Sequence, residues 1–481
     1  MQVKNTISEE NFKTLVYIIS KDDAPALAAL PLGSFLTALV EENKNFSKLG
    51  HVTSSYYGRE QKLQRIIIVG AGDLAQEGAN AVRKAAGTVA RFLLAAKISG
   101  PVAVCTGFTQ TQELFQAMVE GLNLGSYSYT ECKGKQEELN SCSFTLSSPL
   151  QNAPALLAET KVLTKNICLV RDWVNKPGNI LYPEVLAQLA KKFSKKLSLS
   201  CEILDKKAMT KKKMGAILAV GQGSDHEPRM ITVKYQGAGK EKPYLAFVGK
   251  GVTFDSGGIS LKPAAGMGDM KDDMAGAAAV LGAVKTIAEL KLPINVMAVA
   301  GCVENLPSGT AFKPGDVVTS ASGKTIEIVN TDAEGRVVLA DAVWYAGEQG
   351  ATKIIDLATL TGACLIALGM ETAGIITNNE ELAQHIIKCG KAAGENYWIL
   401  PSLPDVRKLL ESNTGDVRNE TGRWGGTISA GLFIEEFVKP GLAWAHLDIA
   451  GPANTEKPRA FYPQGATGFG VATLVNLAKE L

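Results

Sequence analysis

In the heptapeptide Asn330-Thr331-Asp332-Ala333-Glu334-Gly335-Arg336, two carboxylates and a guanidinium stand at alternating positions. The preceding run Thr325-Ile326-Glu327-Ile328-Val329 reads as a strand. If the chain stays extended, Asp332, Glu334 and Arg336 point to one side. Carboxylates this close repel each other unless a cation lies between them, and hard divalent ions take oxygen ligands of this kind. The motif therefore predicts a metal site beside an arginine, a hydrolase-like constellation.

Other charged residues fall at the carboxyl ends of strand-like runs, where sites gather in open α/β sheets. Lys250 and Asp255 follow Tyr244–Val248, in Gly249-Lys250-Gly251-Val252-Thr253-Phe254-Asp255-Ser256-Gly257-Gly258, and Lys262 comes soon after. Asp269, Asp272 and Asp273 precede the small-residue run Met274-Ala275-Gly276-Ala277-Ala278-Ala279, where Asp272 and Asp273 could instead be helix caps. Thr359-Leu360-Thr361 follows Lys353–Leu357. Four or more carboxylates on one rim cannot all stay ionised unpaired. Two divalent cations with a water between them would resolve the repulsion and supply a hydrolytic nucleophile.

The elements that must position these residues read as α/β, with a mixed sheet and helices on both faces. Strands are expected at Leu15–Ile19, Arg65–Val69, Pro101–Cys105, Ser200–Leu204, Met230–Tyr235, Tyr244–Val248, Ile294–Ala300, Thr325–Val329 and Lys353–Leu357. Helices are expected at Ala79–Ile98, Thr109–Glu120, Ala153–Val174, Leu186–Phe193, Met274–Glu289 and Val337–Gln349. Gly125–Ser148 is polar and aperiodic, and reads as a domain edge. The expected organisation is a smaller N-terminal α/β domain (1–150), a connecting helix (151–175) and a larger catalytic domain (176–481).

Composition bounds the rest. The chain has 481 residues, 46% hydrophobic and 20% charged, with a formal charge of +2. That balance demands neither nucleic acid nor an acidic membrane as partner. The eight cysteines show no C-x-x-C spacing, which argues for scattered reduced thiols rather than a disulfide framework. Four histidines lie far apart, with no H-E-x-x-H helix, so any metal ligands must be mainly carboxylates. No leader pattern and no membrane-length apolar run is seen, so a cytoplasmic protein is expected. Gly70-Ala71-Gly72-Asp73-Leu74-Ala75 imitates a dinucleotide fingerprint, but the acidic partner expected further on is missing.

The chain resembles the leucyl aminopeptidase family, the dinuclear cytosolic aminopeptidases. The heptapeptide, Val248–Gly258 and Lys271-Asp272-Asp273-Met274 carry the resemblance. Asn175-Lys176-Pro177-Gly178-Asn179, Glu304-Asn305-Leu306-Pro307-Ser308-Gly309 and Ala445-His446-Leu447-Asp448-Ile449-Ala450-Gly451 support it. The resemblance implies a hydrolase that releases N-terminal residues, Leu and other apolar ones preferred. One divalent ion would be held by Lys250, Asp255, Asp273 and Glu334, and another by Asp255, Asp332 and Glu334. The ions would be Zn2+ or Mn2+, with Mg2+ or Co2+ as alternatives. Lys262 would stabilise the oxyanion, and Arg336 would hold a bicarbonate that moves the proton. Asp273, Thr359 and Leu360 would position the substrate; Met270, Thr361 and Ala450 would line the pocket for its first side chain. Relatives form homohexamers, dimers of trimers, and some bind DNA as a second role. A DNA-binding hexamer and a nucleotide-dependent oxidoreductase are thus the alternatives to a peptidase.

Overall fold

The computed structural model describes residues 1–59, 62–108, 110–134 and 142–481, which fall into two compact units. One comprises Met1–Cys168 and Glu456–Gln464, the other Leu169–Thr455 and Gly465–Leu481. The helix Ala153–Asn175 contains the boundary between them.

The first unit holds a six-stranded sheet. Its strands are β1 (Gln2–Lys4), β2 (Thr14–Ile19), β3 (Val52–Arg59), β4 (Lys62–Gly70), β5 (Gly100–Thr106) and β6 (Cys142–Ser147), in the order β1-β6-β5-β2-β4-β3. Only β3 runs antiparallel, against β4. Apolar runs such as Leu15–Ile19 are buried throughout, as a strand covered on both faces requires. Two expectations change here. Gly125–Ser148 is not only an edge: its end forms β6, where Phe144, Thr145 and Leu146 are all buried. The second helix is Gln112–Gly125, and Thr109, its expected start, lies outside the described residues.

The glycines after β4 also find a physical explanation. A Cβ on Gly70 would lie 2.2 Å from the Lys48 carbonyl oxygen, so this residue admits a close backbone neighbour. Asp73 caps the helix Leu74–Ala95 by accepting from the N–H groups of Ala75 (3.0 Å) and Gln76 (3.3 Å). A carboxylate thus occupies the helix N-terminus where a pyrophosphate would have to sit. The dinucleotide alternative loses its motif.

In the second unit the strands are β7 (Ser200–Leu204), β8 (Arg229–Gln236), β9 (Tyr244–Asp255), β10 (Asn295–Asn305), β11 (Val317–Thr319), β12 (Thr325–Glu327), β13 (Ala351–Ala358), β14 (Thr372–Thr377), β15 (Asn396–Ile399), β16 (Val417–Arg418), β17 (Ala443–Asp448), β18 (Asn454–Thr455) and β19 (Gly465–Ala466), the last two paired with each other. Eight of them form a mixed sheet in the order β15-β14-β17-β13-β9-β10-β8-β7. Its four middle strands, β17, β13, β9 and β10, are parallel. The helices Ala275–Glu289 and Glu334–Glu348 pack against these strands with nearly every residue buried.

Thr325–Val329 was expected as a buried strand of the large sheet. Instead only Thr325–Glu327 is strand, and it sits in a separate small sheet, β11-β12-β16. The run is too short and too polar at alternate positions to fill a central place. Among the described residues, no helix is long and apolar enough to cross a membrane.

Candidate metal centre

The parallel middle strands bring four side chains to one end of the sheet. Asp255 closes β9, Asn305 closes β10, Thr359 follows β13 and Asp448 closes β17. Lys250 lies within β9, five positions before Asp255. In a regular strand an odd spacing puts two side chains on opposite faces. Here the register with β10 steps from Val252 to Phe254 while β10 advances by one, leaving Thr253 as a bulge. The extra residue turns Asp255 to the side of Lys250. The Thr253 hydroxyl donates to the Val303 carbonyl (3.2 Å), which anchors the bulge.

The heptapeptide reaches the same place by another route. It is not extended throughout: Glu334 is the first residue of the helix Glu334–Glu348, and Ala333 is its cap position. Residues two apart on a helix diverge, so Glu334 and Arg336 do not share a face as alternation predicted. The helix start favours the Glu334 carboxylate through its positive dipole end. Gly335 follows because a Cβ there would lie 2.5 Å from Lys250 Cε.

Asn419 holds the motif in place. Its Oδ1 accepts from Val329 N–H (2.8 Å), and its Nδ2 donates to the carbonyls of Asn330 (2.7 Å) and Ala333 (3.2 Å). Arg336 Nη1 donates to the Asn419 carbonyl (2.9 Å).

Two lysines tie four carboxylates together. Lys250 Nζ lies 2.7 Å from Asp273 Oδ2 and 2.8 Å from Glu334 Oε1, and donates to the Thr359 carbonyl (3.1 Å). Lys262 Nζ lies 2.8 Å from Asp255 Oδ2 and also pairs with Asp332. Carboxylate oxygens of Asp255, Asp273 and Glu334 lie within 4.8 Å of one another, and all three residues are buried.

Asn305 Nδ2 donates to Asp255 Oδ1 (2.9 Å) and to the Thr331 carbonyl (2.9 Å), joining the β9 end to the heptapeptide. The Thr331 hydroxyl donates to the Gly257 carbonyl (2.6 Å). Asp273 Oδ1 accepts from the Thr359 hydroxyl (2.8 Å).

The charges are strongly perturbed. Burial raises the carboxyl pKa of Asp273 and Glu334, and their carboxylate neighbours raise them further, against the pull of Lys250. Burial also raises Asp332. For Lys250 burial works the other way, but Asp273, Glu334 and Asp255 outweigh it and hold the ammonium above the usual lysine value. Lys262 is raised for the same reason, with Asp255 as its main counter-charge. Burial depresses the Arg336 guanidinium, with Glu334, Glu420 and Asp448 opposing. Arg336 is buried, and its Nε has no hydrogen-bond partner among the described residues.

The other expected site residues fall around this group. The N–H groups of Leu360 (3.2 Å), Thr361 (3.4 Å) and Ala450 (3.2 Å) all converge on Asp448 Oδ1. The Thr361 hydroxyl donates to Asp448 Oδ2 (2.6 Å), so its polar end is engaged there. Met270 is half-buried in the short helix Met267–Asp272, next to the aspartates but without a polar link to them. Asp272 caps no helix; it accepts from Asn454 Nδ2 (2.7 Å). Asp273 is likewise spent on Lys250 and Thr359 rather than on a cap.

Sequence reasoning assigned no role to Asn305, Asn419 or Asp448. Asn305 and Asp448 lie in two of the supporting motifs, and each closes a strand, β10 or β17, that goes beyond the strands expected from sequence. Asn419 gave no signal, because its closeness to the heptapeptide arises only when β16 pairs with β12.

A family model described as the cytosol aminopeptidase family, catalytic domain, matches residues 168–475, and that family's N-terminal domain matches residues 19–136. A probable cytosol aminopeptidase of Syntrophotalea carbinolica is 41% identical over 473 residues, covering 96% of this chain and 95% of that protein. One of Geotalea uraniireducens is 42% identical over 459 residues, covering 94% and 92%. Among solved structures, a mutant of tomato leucine aminopeptidase matches with a TM-score of 0.89 and 32% identity, covering 100% of this chain and 96% of that one. The bottromycin maturation enzyme BotP in complex with Mn matches with 0.86 and 32%, covering 97% and 99%.

Proposed function

The chain belongs to the cytosol aminopeptidase family, and from that premise we infer that the Lys250–Glu334 pocket is where it releases N-terminal residues from peptides. It is a divalent-metal-dependent aminopeptidase. The observation that carries the site reading is the grouping of buried Asp255, Asp273 and Glu334 oxygens within 4.8 Å, with Asp332 tied in through Lys262. This donor set fits hard or borderline divalent ions. Two ammonium groups now neutralise the carboxylates, a task that two cations would share.

In this reading Lys250, Asp255, Asp273 and Glu334 hold one ion and Asp255, Asp332 and Glu334 the other. Zn2+ or Mn2+ suits this set, with Mg2+ or Co2+ as alternatives. When bound, such ions supply an activated water and polarise the scissile carbonyl. Lys250 must then give up its proton and leave its carboxylate partners, since only the neutral amine has a lone pair.

The protein's own groups do the rest. Asp273, set by the Thr359 hydroxyl, faces the peptide's free α-amine. Lys262 keeps its charge near neutral pH and stabilises the oxyanion that grows in the transition state. Backbone groups of Thr359, whose carbonyl accepts from Lys250, and of Leu360, whose N–H donates to Asp448, orient the substrate. Met270, Thr361 and Ala450 line the pocket for its first side chain, which favours Leu and other apolar residues.

Arg336 supports a non-protein base. A buried guanidinium with an unpaired Nε is an anion site, and bicarbonate is the anion that would relay the proton to the leaving amine.

We further propose a homohexamer, a dimer of trimers. Large apolar side chains left exposed on the second unit, Ile366, Trp398 and Trp424, support assembly. A cytoplasmic site of action accords with the relatives' names. No specific observation favours DNA binding.

The test is turnover of leucyl-p-nitroanilide with added Mn2+, Co2+ or Zn2+ beside its N-acetylated form. The reading expects cleavage of the free amine alone; equal cleavage of both would overturn it.

A further inference from the structure

A second cluster of ligand-type side chains lies away from the catalytic carboxylates and shares no residue with them. His385 and Cys389 stand one turn apart on the helix Glu380–Ala393, which puts them on the same face. Glu480 ends the C-terminal helix Val471–Glu480, which packs against that helix. One donor atom from each of the three lies within 4.8 Å of the others. His385 Nε2 and Glu480 Oε2 are already 2.8 Å apart.

We propose that His385, Cys389 and Glu480 form a zinc-type site that pins the C-terminal helix to the helix Glu380–Ala393. The donor set decides the metal class. One imidazole, one thiol and one carboxylate suit a borderline-soft ion such as Zn2+, whereas Mg2+ and Ca2+ prefer oxygen alone. Bonds of ~2.0–2.3 Å at the tetrahedral angle separate ligand atoms by roughly 3.3–3.8 Å. The donor atoms, all within 4.8 Å of one another, must close to that spacing, and the 2.8 Å His385–Glu480 pair must open to it. His385 is half-buried and Glu480 exposed, so the fourth position opens to water.

Cys389 otherwise has little chemistry. It is fully buried, and burial, helped by the nearby Glu480 carboxylate, pushes its thiol up to about 11. A thiol of that kind is neither a nucleophile nor a redox sensor. Metal binding would replace its proton: the S–H bond breaks, the proton goes to solvent, and the thiolate becomes a ligand. Lys388 Nζ lies 2.7 Å from Glu480 Oε2 and must withdraw, which its largely exposed side chain permits.

The test uses the purified full-length protein loaded with Co2+ in place of Zn2+. The proposed catalytic ligands are an amine and carboxylates, none of them a thiol, so a thiolate-to-cobalt charge-transfer band that Cys389→Ser abolishes reports the Cys389 site. The wild type is expected to show the band and lose it on adding Zn2+. Cys389→Ser and His385→Gln should each lack the band, bind one ion per chain fewer, and keep peptidase turnover. Zn2+ should slow amide exchange in Val471–Glu480 of the wild type but not of Cys389→Ser. Absence of the band from the wild type, or its survival in Cys389→Ser, would overturn the assignment.

Discussion

Asn305→Ala separates the metal-centre account from a purely structural one. The Asn305 side chain is fully buried and donates two hydrogen bonds, to Asp255 Oδ1 and to the Thr331 carbonyl. The bond to the charged Asp255 contributes about 1.5–3 kcal/mol, and that to Thr331 about 0.5–1.5 kcal/mol. Their sum, about 2–4.5 kcal/mol, stays below the ~5–15 kcal/mol that holds a domain together, so the variant should fold with a lowered Tm. Asp255 is not left bare: Gly257 N–H still donates to its Oδ1 (2.9 Å), and Lys262 still pairs with its Oδ2. What is lost is the aim of the carboxylate. Losing an outer hydrogen-bond partner of a ligand typically costs about 10–100-fold in metal affinity or activity. Metal titration of chelator-stripped protein, followed by leucyl-p-nitroanilide turnover, is the assay. The apparent metal affinity should weaken by about that factor, with turnover partly restored at high metal. A variant with lowered Tm but wild-type metal affinity and kcat/KM would refute the reasoning, because Asn305 would then support only the fold.

Three further outcomes follow from the same geometry. Gly335→Ala puts a Cβ 2.5 Å from Lys250 Cε and displaces that side chain, so turnover should collapse with little change in Tm; wild-type kcat would contradict it. Lys262→Ala removes the oxyanion partner and should lower kcat about 10²–10³-fold while metal content stays constant. A matching loss of metal would show instead that Lys262 maintains the ligands. His446 pairs with Asp356 at 2.6 Å; burial lowers its pKa, but Asp356 outweighs this and raises it above the ordinary 6.5. The stability from this pair is fully present below about 6.5 and lost as pH rises through the raised value. His446→Gln should therefore destabilise more at pH 6 than at pH 9, read by denaturant unfolding at both; an equal loss would contradict the charged pair.

The chemistry was more legible in the sequence than the geometry that assembles it. Residue types at strand ends marked Lys250, Asp255, Asp273, Asp332 and Glu334 as a group, because clustered carboxylates need a counter-charge whatever the fold. The way they meet was hidden. Alternation placed Glu334 and Arg336 on one side, whereas a helix begins at Glu334 and separates them. The Thr253 bulge, which turns Asp255 toward Lys250, depends on register with β10 and leaves no local signal. Buried strands with strong apolar runs, such as Leu15–Ile19, were plain. Short or half-polar ones, such as Cys142–Ser147 and Thr325–Glu327, took their place from pairing partners distant in sequence.

The central claim is that the Asp255–Asp273–Glu334 group holds the ions that drive peptide cleavage. Its most direct test is Glu334→Gln, which keeps the size of the side chain and removes its charge. Bound metal and leucyl-p-nitroanilide turnover would be measured on the same samples, beside chelator-stripped and metal-restored wild type. Stripped wild type should be inactive and recover with metal, while Glu334→Gln should bind fewer ions and stay inactive at any metal concentration. Wild-type metal content together with wild-type turnover in Glu334→Gln would contradict the claim.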